Sequence, residues 1–394
     1  MDERYLRYKR ALTGESLPLL FLDLDQLEAN AGALSRMAGA KPVRIATKSI
    51  RCPGVLRHVL SGFPRFRGLM AYAAAEAAFL ADAGFDDILI GYPSVETGHL
   101  RAAAERVRAG KLITFMVSEQ PHVDALSAVA KELQVTLRIC IDVDHSLDLP
   151  GLFFGVRRSR LRTAEAALAL ARSAQTAGNL QVAGLMGYEA QVAGVADADP
   201  VPVLRAAIIR LLKRISLRRI HRLRAQLSQS FRAAGIQIDI FNGAGTGSLG
   251  AGSTDPFLTE VTAGSGLFAP TLFDGYRDFK LKPALAFALR VARTPAPGWV
   301  TCSSGGFVAS GSAGREKLPT PWLPGGLKLS PLEGAGEVQT PLTGAVQDLQ
   351  IGDPVFFRHA KAGEVCEHFN EVVLIRGDAV VGRLPTYRGD GQRF

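Results

Sequence analysis

Lys48 closes the apolar run Val43-Arg44-Ile45-Ala46-Thr47-Lys48, just ahead of Cys52-Pro53-Gly54, where a strand pattern stops. A lysine at the end of a buried strand is placed for chemistry, because desolvation lowers an ammonium's pKa and frees an amine to attack a carbonyl. Taken alone, the hexapeptide fits a surface lysine that snorkels to water even better. A second stretch shifts that balance. Asn242-Gly243-Ala244-Gly245-Thr246-Gly247-Ser248 puts three glycines and two hydroxyl residues directly after another strand pattern. Missing β-carbons let backbone amides close around an anion, and Thr246 and Ser248 can add hydroxyl donors. A further small-residue turn, Ala263-Gly264-Ser265-Gly266, follows the next strand pattern. Either turn alone reads as an ordinary tight turn; two in succession at strand ends point to a phosphate site.

The elements that must position these residues alternate in type. Strand patterns at Leu19 to Leu24, Val43 to Lys48, Gly68 to Tyr72, Asp87 to Gly91, Leu112 to Val117, Leu137 to Asp144, Val182 to Tyr188, Ile236 to Phe241 and Glu260 to Phe268 are separated by helical patterns. Apolar strands buried on both faces imply a parallel sheet, and eight or so units over about 270 residues favour a closed (β/α)8 barrel. An open doubly wound sheet competes less well, since no glycine-rich turn follows Leu19 to Leu24. Reactive groups of such a barrel sit where strands end, here Lys48, Tyr72, Asp142, Asp144, Tyr188, Glu189 and Asn242. Beyond Lys280 the helical period fades and Gly, Pro and Ser crowd short apolar pieces, which predicts a smaller mainly-β domain. The expected division is therefore a barrel over 1–279 and a β domain over 280–394. A phosphate clamp and a strand-end lysine on one barrel mouth match the needs of pyridoxal 5′-phosphate.

Composition narrows the alternatives. The chain has 394 residues, 47% hydrophobic and 21% charged, enough for a large core and a second smaller one. No run approaches the roughly 18 uncharged apolar residues of a spanning helix, so a soluble chain without membrane contact is expected. Four well-separated cysteines, Cys52, Cys140, Cys302 and Cys366, fit free thiols in a reducing cytoplasm. The net charge of +9 is local: nine Lys or Arg residues and no acid lie between Arg205 and Arg232. Leu204, Ile208, Leu211, Ile215, Leu223, Leu227 and Phe231 recur there at helical spacing, predicting one apolar face and one solvated basic face. Nucleic acid is disfavoured, because no aromatic interleaving accompanies the charge.

With these residues in view, the chain resembles the fold-type III pyridoxal phosphate enzymes, which pair an alanine-racemase-like barrel with a β domain. Within them it is most similar to the D-threonine aldolase and D-serine dehydratase branch, including sequences described as amino acid deaminase/aldolase. The resembling pieces are Phe21-Leu22-Asp23-Leu24-Asp25, Ala46-Thr47-Lys48-Ser49, Asp86 to Pro93, Gly184 to Glu189, Gly243 to Gly247, and Gly352 to Asn370. The resemblance implies that Lys48 carries the cofactor as a Schiff base and that Tyr188 lies beside it. It makes Asn242, Gly243, Gly245, Thr246 and Gly247, with Gly264, Ser265 and Gly266, the cofactor-binding set. Phe153 stands where the family carries an arginine, and Arg157 could supply that charge only from another backbone position.

The branch also binds a divalent metal through a histidine followed two residues later by Cys or Asp, with an asparagine shortly after. Glu364-Val365-Cys366 keeps that spacing ahead of Asn370, with Glu in place of His, and His359 and His368 lie nearby. On a strand, residues 364, 366 and 368 would share a face, and the resemblance implies His359, Glu364 and Cys366 as the ligands for Mn²⁺ or Zn²⁺. An ordinary polar strand face is the competing reading, and Glu337-Val338-Gln339 lacks the histidine of the family's Glu-His pair. The resemblance implies a cytoplasmic, homodimeric lyase acting on a small D-β-hydroxy amino acid by retro-aldol cleavage or dehydration. A racemase and a non-catalytic pyridoxal phosphate-binding protein are the alternatives.

Overall fold

The computed structural model describes residues 2–198, 201–361 and 363–394. Contacts group the chain into two units, one of Leu34–Thr47, Leu60–Gly264 and Phe394, the other of Met1–Ala33, Lys48–Val59 and Ser265–Arg393. The first strand, β1 (Leu19–Asp23), belongs to the second unit.

The first unit is a closed barrel of eight parallel strands: β2 (Val43–Ala46), β3 (Phe66–Ala71), β4 (Ile88–Ile90), β5 (Ile113–Val117), β6 (Leu137–Asp142), β9 (Leu180–Gly187), β10 (Ile240–Gly243) and β11 (Glu260–Ala263). It closes where Val261 of β11 aligns with Val43 of β2. A small antiparallel hairpin, β7 (Leu147–Leu149) and β8 (Leu152–Phe154), fills the connection between β6 and β9. The strands form because apolar side chains are needed on both faces: every residue of β5 is buried, as are all of β4 and all but one of β9. Leu89, Met116, Cys140 and Met186, with Met70, fill one level of the interior. Another level is polar. Arg44 points into the barrel and donates from Nε and Nη2 to the two Glu260 carboxylate oxygens at 2.7 and 2.8 Å. Burying this charge is tolerable because its partner and the Asp87 carboxylate, 3.0 Å from Nη1, neutralise it.

The helix Val203–Ala233 departs from its expected solvated basic face. Two of its cations are buried: Lys213 lies 3.0 Å from Asp197, and Arg224 is 1% exposed. Conversely Leu204, Ile208 and Leu211 are 76, 51 and 56% exposed. Helical spacing fixed which residues align but not which stripe meets the barrel, and only Leu227 and Phe231 of the expected face are fully buried.

Besides β1, the second unit has the strands β12 (Leu285–Arg293), β13 (Val300–Ser303), β14 (Thr320–Leu323), β15 (Leu327–Leu329), β16 (Gln339–Gly344), β17 (Pro354–Arg358), β18 (Glu371–Arg376) and β19 (Ala379–Pro385). They form a nine-stranded sheet with the order β15-β16-β13-β12-β1-β18-β19, where β17 pairs with β12 and β14. The mainly-β character read beyond residue 280 is present. The N-terminal strand, however, is not a barrel strand: β1 pairs antiparallel with β12 and parallel with β18. A five-residue strand with four apolar residues, buried on both faces, suits the centre of either kind of sheet, so periodicity could not assign it. Phe21 of β1 meets Tyr8 and Phe356 at ring-centroid distances of 5.0 and 5.6 Å, and Tyr8 donates its hydroxyl to buried Asp23 at 2.8 Å.

Candidate active site

The glycine turn begins where β10 ends. Ala244 takes a left-handed conformation (φ +67°), Gly245 is extended, and Thr246–Ser248 form a three-ten turn leading into the helix Leu249–Thr254. A β-carbon on Gly245 would lie 2.9 Å from Cε2 of Tyr188 and 3.1 Å from the Ala193 methyl, so glycine is what lets the tyrosine ring lie against this turn. One on Gly243 would lie 2.6 Å from Nη2 of Arg224, which gives that glycine a packing role under the turn.

Partners below hold the turn in place. Glu189, the residue after Tyr188 and fully buried, accepts from the Ala244 amide (3.3 Å, Oε2) and from the Ser248 hydroxyl (3.1 Å, Oε1). Ser248 Oγ in turn accepts from the Gly245 amide at 3.1 Å. Glycine turns of this kind let backbone amides approach an anion closely, because no β-carbon stands in the way. The turn thus fits an anionic group such as a phosphate ester.

Charge within the barrel unit is arranged around Arg224 and Arg158. Arg224 donates from Nη2 to Glu189 Oε2 (2.8 Å) and to the Gly187 carbonyl (3.2 Å), and from Nη1 to Asp255 (3.1 Å). Burial and this guanidinium push His145 well below its ordinary pKa, leaving it neutral against Gly187, where a β-carbon would overlap its ring. Burial pushes Tyr188 up to about 12, with the Glu189 carboxylate adding to the shift, so its phenol stays protonated. Burial likewise raises Asp142, at the end of β6, to about 6 against the opposing pull of Arg158, whose Nε is 2.8 Å away. Arg158 also donates to the Gly91 carbonyl at the end of β4 (2.8 Å). Arg157 instead stacks on Phe153 at 4.3 Å, so it is Arg158 rather than Arg157 that reaches the ends of β4 and β6.

Of the residues expected from sequence, Tyr188, Gly243, Gly245, Thr246 and Gly247 are brought together as described. Lys48 stands in the three-ten turn Thr47–Ser49 that continues β2, and Thr47 donates to the Met70 carbonyl at 2.9 Å. Lys48 is exposed, contrary to the expectation that burial would tune it. Asn242 is buried at the end of β10. Its side chain lies inside the barrel, donating to Glu260 (2.7 Å) and Thr262 (2.8 Å), because strand alternation aims it inward. Gly264 is buried directly after β11, and Ser265 and Gly266 begin the short helix Ser265–Phe268.

The expected metal ligands are not gathered. Gly363–His368 is a three-ten helix, not a strand, and three residues per turn send positions 364, 366 and 368 in different directions. Glu364 accepts from the Ser310 amide at 2.9 Å, and Cys366 Sγ contacts the Ile50 carbonyl at 3.5 Å. His359 is buried beside Phe268 and pushed down to about 3 by burial and then by Arg358. Among the described residues no group of three or more His, Cys, Asp or Glu side chains is placed to hold a metal. Sequence reading placed Glu189 at a strand end beside Tyr188 but gave it no partner, and it missed Arg224 and Arg158, which nothing in their local sequence distinguishes from neighbouring arginines.

The alanine racemase N-terminal domain family matches residues 22–271. A 3-hydroxy-D-aspartate aldolase of Paracoccus denitrificans (strain Pd 1222) is 25% identical over 256 residues, 64% of this chain; the match spans 60% of that protein's length. The D-threonine aldolase of Filomicrobium marinum superposes with a TM-score of 0.80 at 21% identity, covering 95% of each chain. The D-threo-3-hydroxyaspartate dehydratase of Delftia sp. HT23 gives a TM-score of 0.76 at 18% identity, covering 95% of this chain and 98% of that one. At these identities the structural likeness establishes the fold.

Proposed function

The chain belongs to the alanine racemase N-terminal domain family, and from that premise we propose that it is a pyridoxal 5′-phosphate-dependent lyase acting on small D-β-hydroxy amino acids. The observation that carries this reading is the glycine turn at the end of β10, seated against Tyr188 with no β-carbon at Gly245. The names of its relatives, an aldolase of 3-hydroxy-D-aspartate and an aldolase of D-threonine, supply the substrate class. When bound, the cofactor provides an electron sink for the bond broken at Cα.

The chain's own residues do the rest. Lys48 holds the cofactor covalently, and the turn of Gly245, Thr246 and Gly247, with Gly264, Ser265 and Gly266, holds the ester phosphate. Tyr188, protonated across the working range, presents its phenol beside them. Arg158 brings positive charge to the strand ends where Phe153 leaves none. Retro-aldol cleavage and dehydration diverge only after Cα is activated, and both stay within the proposal. His359, Glu364 and Cys366 do not form a donor set, so no step is drawn through a metal. Among the described residues no helix is long and apolar enough to cross a membrane; a cytoplasmic homodimer belongs to the same proposal.

The test is spectroscopic and chemical. Purified protein should show the visible absorbance of lysine-held cofactor, borohydride should fix that label to Lys48 in a peptide map, and Lys48→Ala should lose it. D-threonine, D-serine and D-3-hydroxyaspartate should then perturb the spectrum and yield an aldehyde or a keto acid, whereas the L isomers should not. Interconversion of D and L isomers without cleavage would replace the lyase by a racemase. A spectrum indifferent to every amino acid would leave a carrier.

A further inference from the structure

We infer that Arg224, acting through Glu189 and Ser248, is the positioning residue that shapes the glycine turn for the cofactor's phosphate. The inference rests on the cofactor reading above and goes further by assigning a task to a residue of the basic helix.

Arg224 sits within Val203–Ala233, among arginines that face solvent, yet it is 1% exposed. Long charged side chains are rarely buried without a specific reason, because removing the charge from water is costly unless partners replace the hydration. Its partners are unusual in where they lead. Nη2 reaches Glu189 Oε2 at 2.8 Å and the Gly187 carbonyl at 3.2 Å, so one nitrogen fixes both sides of Tyr188. Nη1 reaches Asp255 at 3.1 Å, just past the helix that the turn begins. Gly243 lacks the β-carbon that would lie 2.6 Å from Nη2.

From Glu189 the linkage continues into the turn itself. Its two carboxylate oxygens take the Ala244 amide and the Ser248 hydroxyl, and Ser248 takes the Gly245 amide. Ala244 is held at φ +67°, a conformation that a residue with a β-carbon adopts only when its surroundings enforce it. Glu189 and Arg224 are those surroundings. The Ala244 amide is taken by Glu189, the Gly245 amide by the Ser248 hydroxyl and the Ser248 amide by the Gly245 carbonyl, so the backbone of the turn is fixed from this side before any ligand arrives. Arg224 therefore touches no cofactor atom; it neutralises and orients the carboxylate that sets the turn.

The experiment separates this role from general stability by comparing two ligands, pyridoxal 5′-phosphate and pyridoxal, which differ only in the phosphate. Each is titrated into cofactor-stripped wild-type, Arg224→Lys and Ser248→Ala proteins, with dissociation constants read by absorbance and folding checked by near-ultraviolet circular dichroism. Lysine keeps the charge but loses the fork that bridges two carboxylates, so Arg224→Lys should weaken the phosphate ester's binding by about tenfold or more. Pyridoxal binding should stay within about twofold, since the lysine-reactive aldehyde is untouched. Ser248→Ala empties no large space and should show the same selective loss, which keeps the inference testable if Arg224→Lys fails to fold. Equal losses for both ligands, or none for either, would overturn the positioning role while leaving the cofactor reading intact. A wild-type protein that does not prefer the phosphate ester would overturn both.

Discussion

A β-carbon at position 245 would come within 2.9 Å of the Tyr188 ring, whereas one at Gly250, five residues on, meets nothing within 4 Å. Gly245→Val should therefore displace the ring or the turn and weaken cofactor affinity by an order of magnitude or more, read by absorbance titration. Gly250→Ala, within the helix Leu249–Thr254, should leave affinity unchanged and raise stability by about 0.5–1 kcal/mol, because alanine loses less backbone freedom. Asp142 gives a pH signature. Burial raises its pKa from 3.8 to about 6, so the folded state binds a proton that the unfolded state has released. Its contribution is fully present below pH 3.8 and is lost as pH rises through 6, a change of about 3 kcal/mol. Asp142→Asn removes the titration, so the stability of the variant relative to wild type should rise by that amount between pH 4 and pH 7 in urea melts. A constant difference would mean that Arg158 already holds the carboxylate ionised. At this scale the sequence showed the groups that announce themselves by type at a strand end, Lys48, Tyr188 and the glycine turn. It hid Arg224, which is chemically identical to its exposed neighbours and is distinguished only by the direction it points.

The helix Val203–Ala233 shows what spacing conveys and what it leaves open. Its length and existence were legible from the apolar period, but the buried stripe passes through Ala206, Ile209, Lys213, Ser216, Ile220, Arg224, Leu227 and Phe231. Two cations and a serine in that stripe disguise it, because their charge is matched by Asp197, Glu189 and Asp255 from elsewhere in the sequence. Leu204→Ser and Ile208→Ser should thus change stability by no more than about 0.5 kcal/mol, while Phe231→Ala should cost about 3–5 kcal/mol by leaving a cavity. Chemical denaturation of the three variants measures this directly, and a large loss at Leu204 would show that the exposed stripe is covered in solution. The stretch Gly363–His368 failed for a related reason. Alternating polar and apolar residues fit a strand, but Gly363 would clash with the Ser49 backbone if it carried a β-carbon, and the chain winds tightly past that point as a three-ten helix.

At the scale of the whole chain, the barrel was legible because each strand and its helix are consecutive, whereas the second sheet draws on both ends of the sequence. The strands β12 to β19 could be read as β structure from their turns, but nothing local marks β1 as their neighbour. Its pairing with β12 and β18 gives it hydrogen-bonded partners on both sides, and all five of its residues are buried. A division at residues 279 and 280 would therefore strand β1 without either neighbour. In a fragment of residues 1–279, Leu19, Leu20, Phe21 and Leu22 would form a strand with two unpaired edges and an uncovered apolar surface, a template for association between copies. Such a fragment should elute as large aggregates in size-exclusion chromatography, and shortening it to residues 24–279 should reduce the aggregation by removing the strand that causes it. If the fragment of residues 1–279 is instead monomeric with a cooperative thermal transition, β1 has found cover within it, and its place at the centre of the second sheet is not what makes the two termini of the chain interdependent.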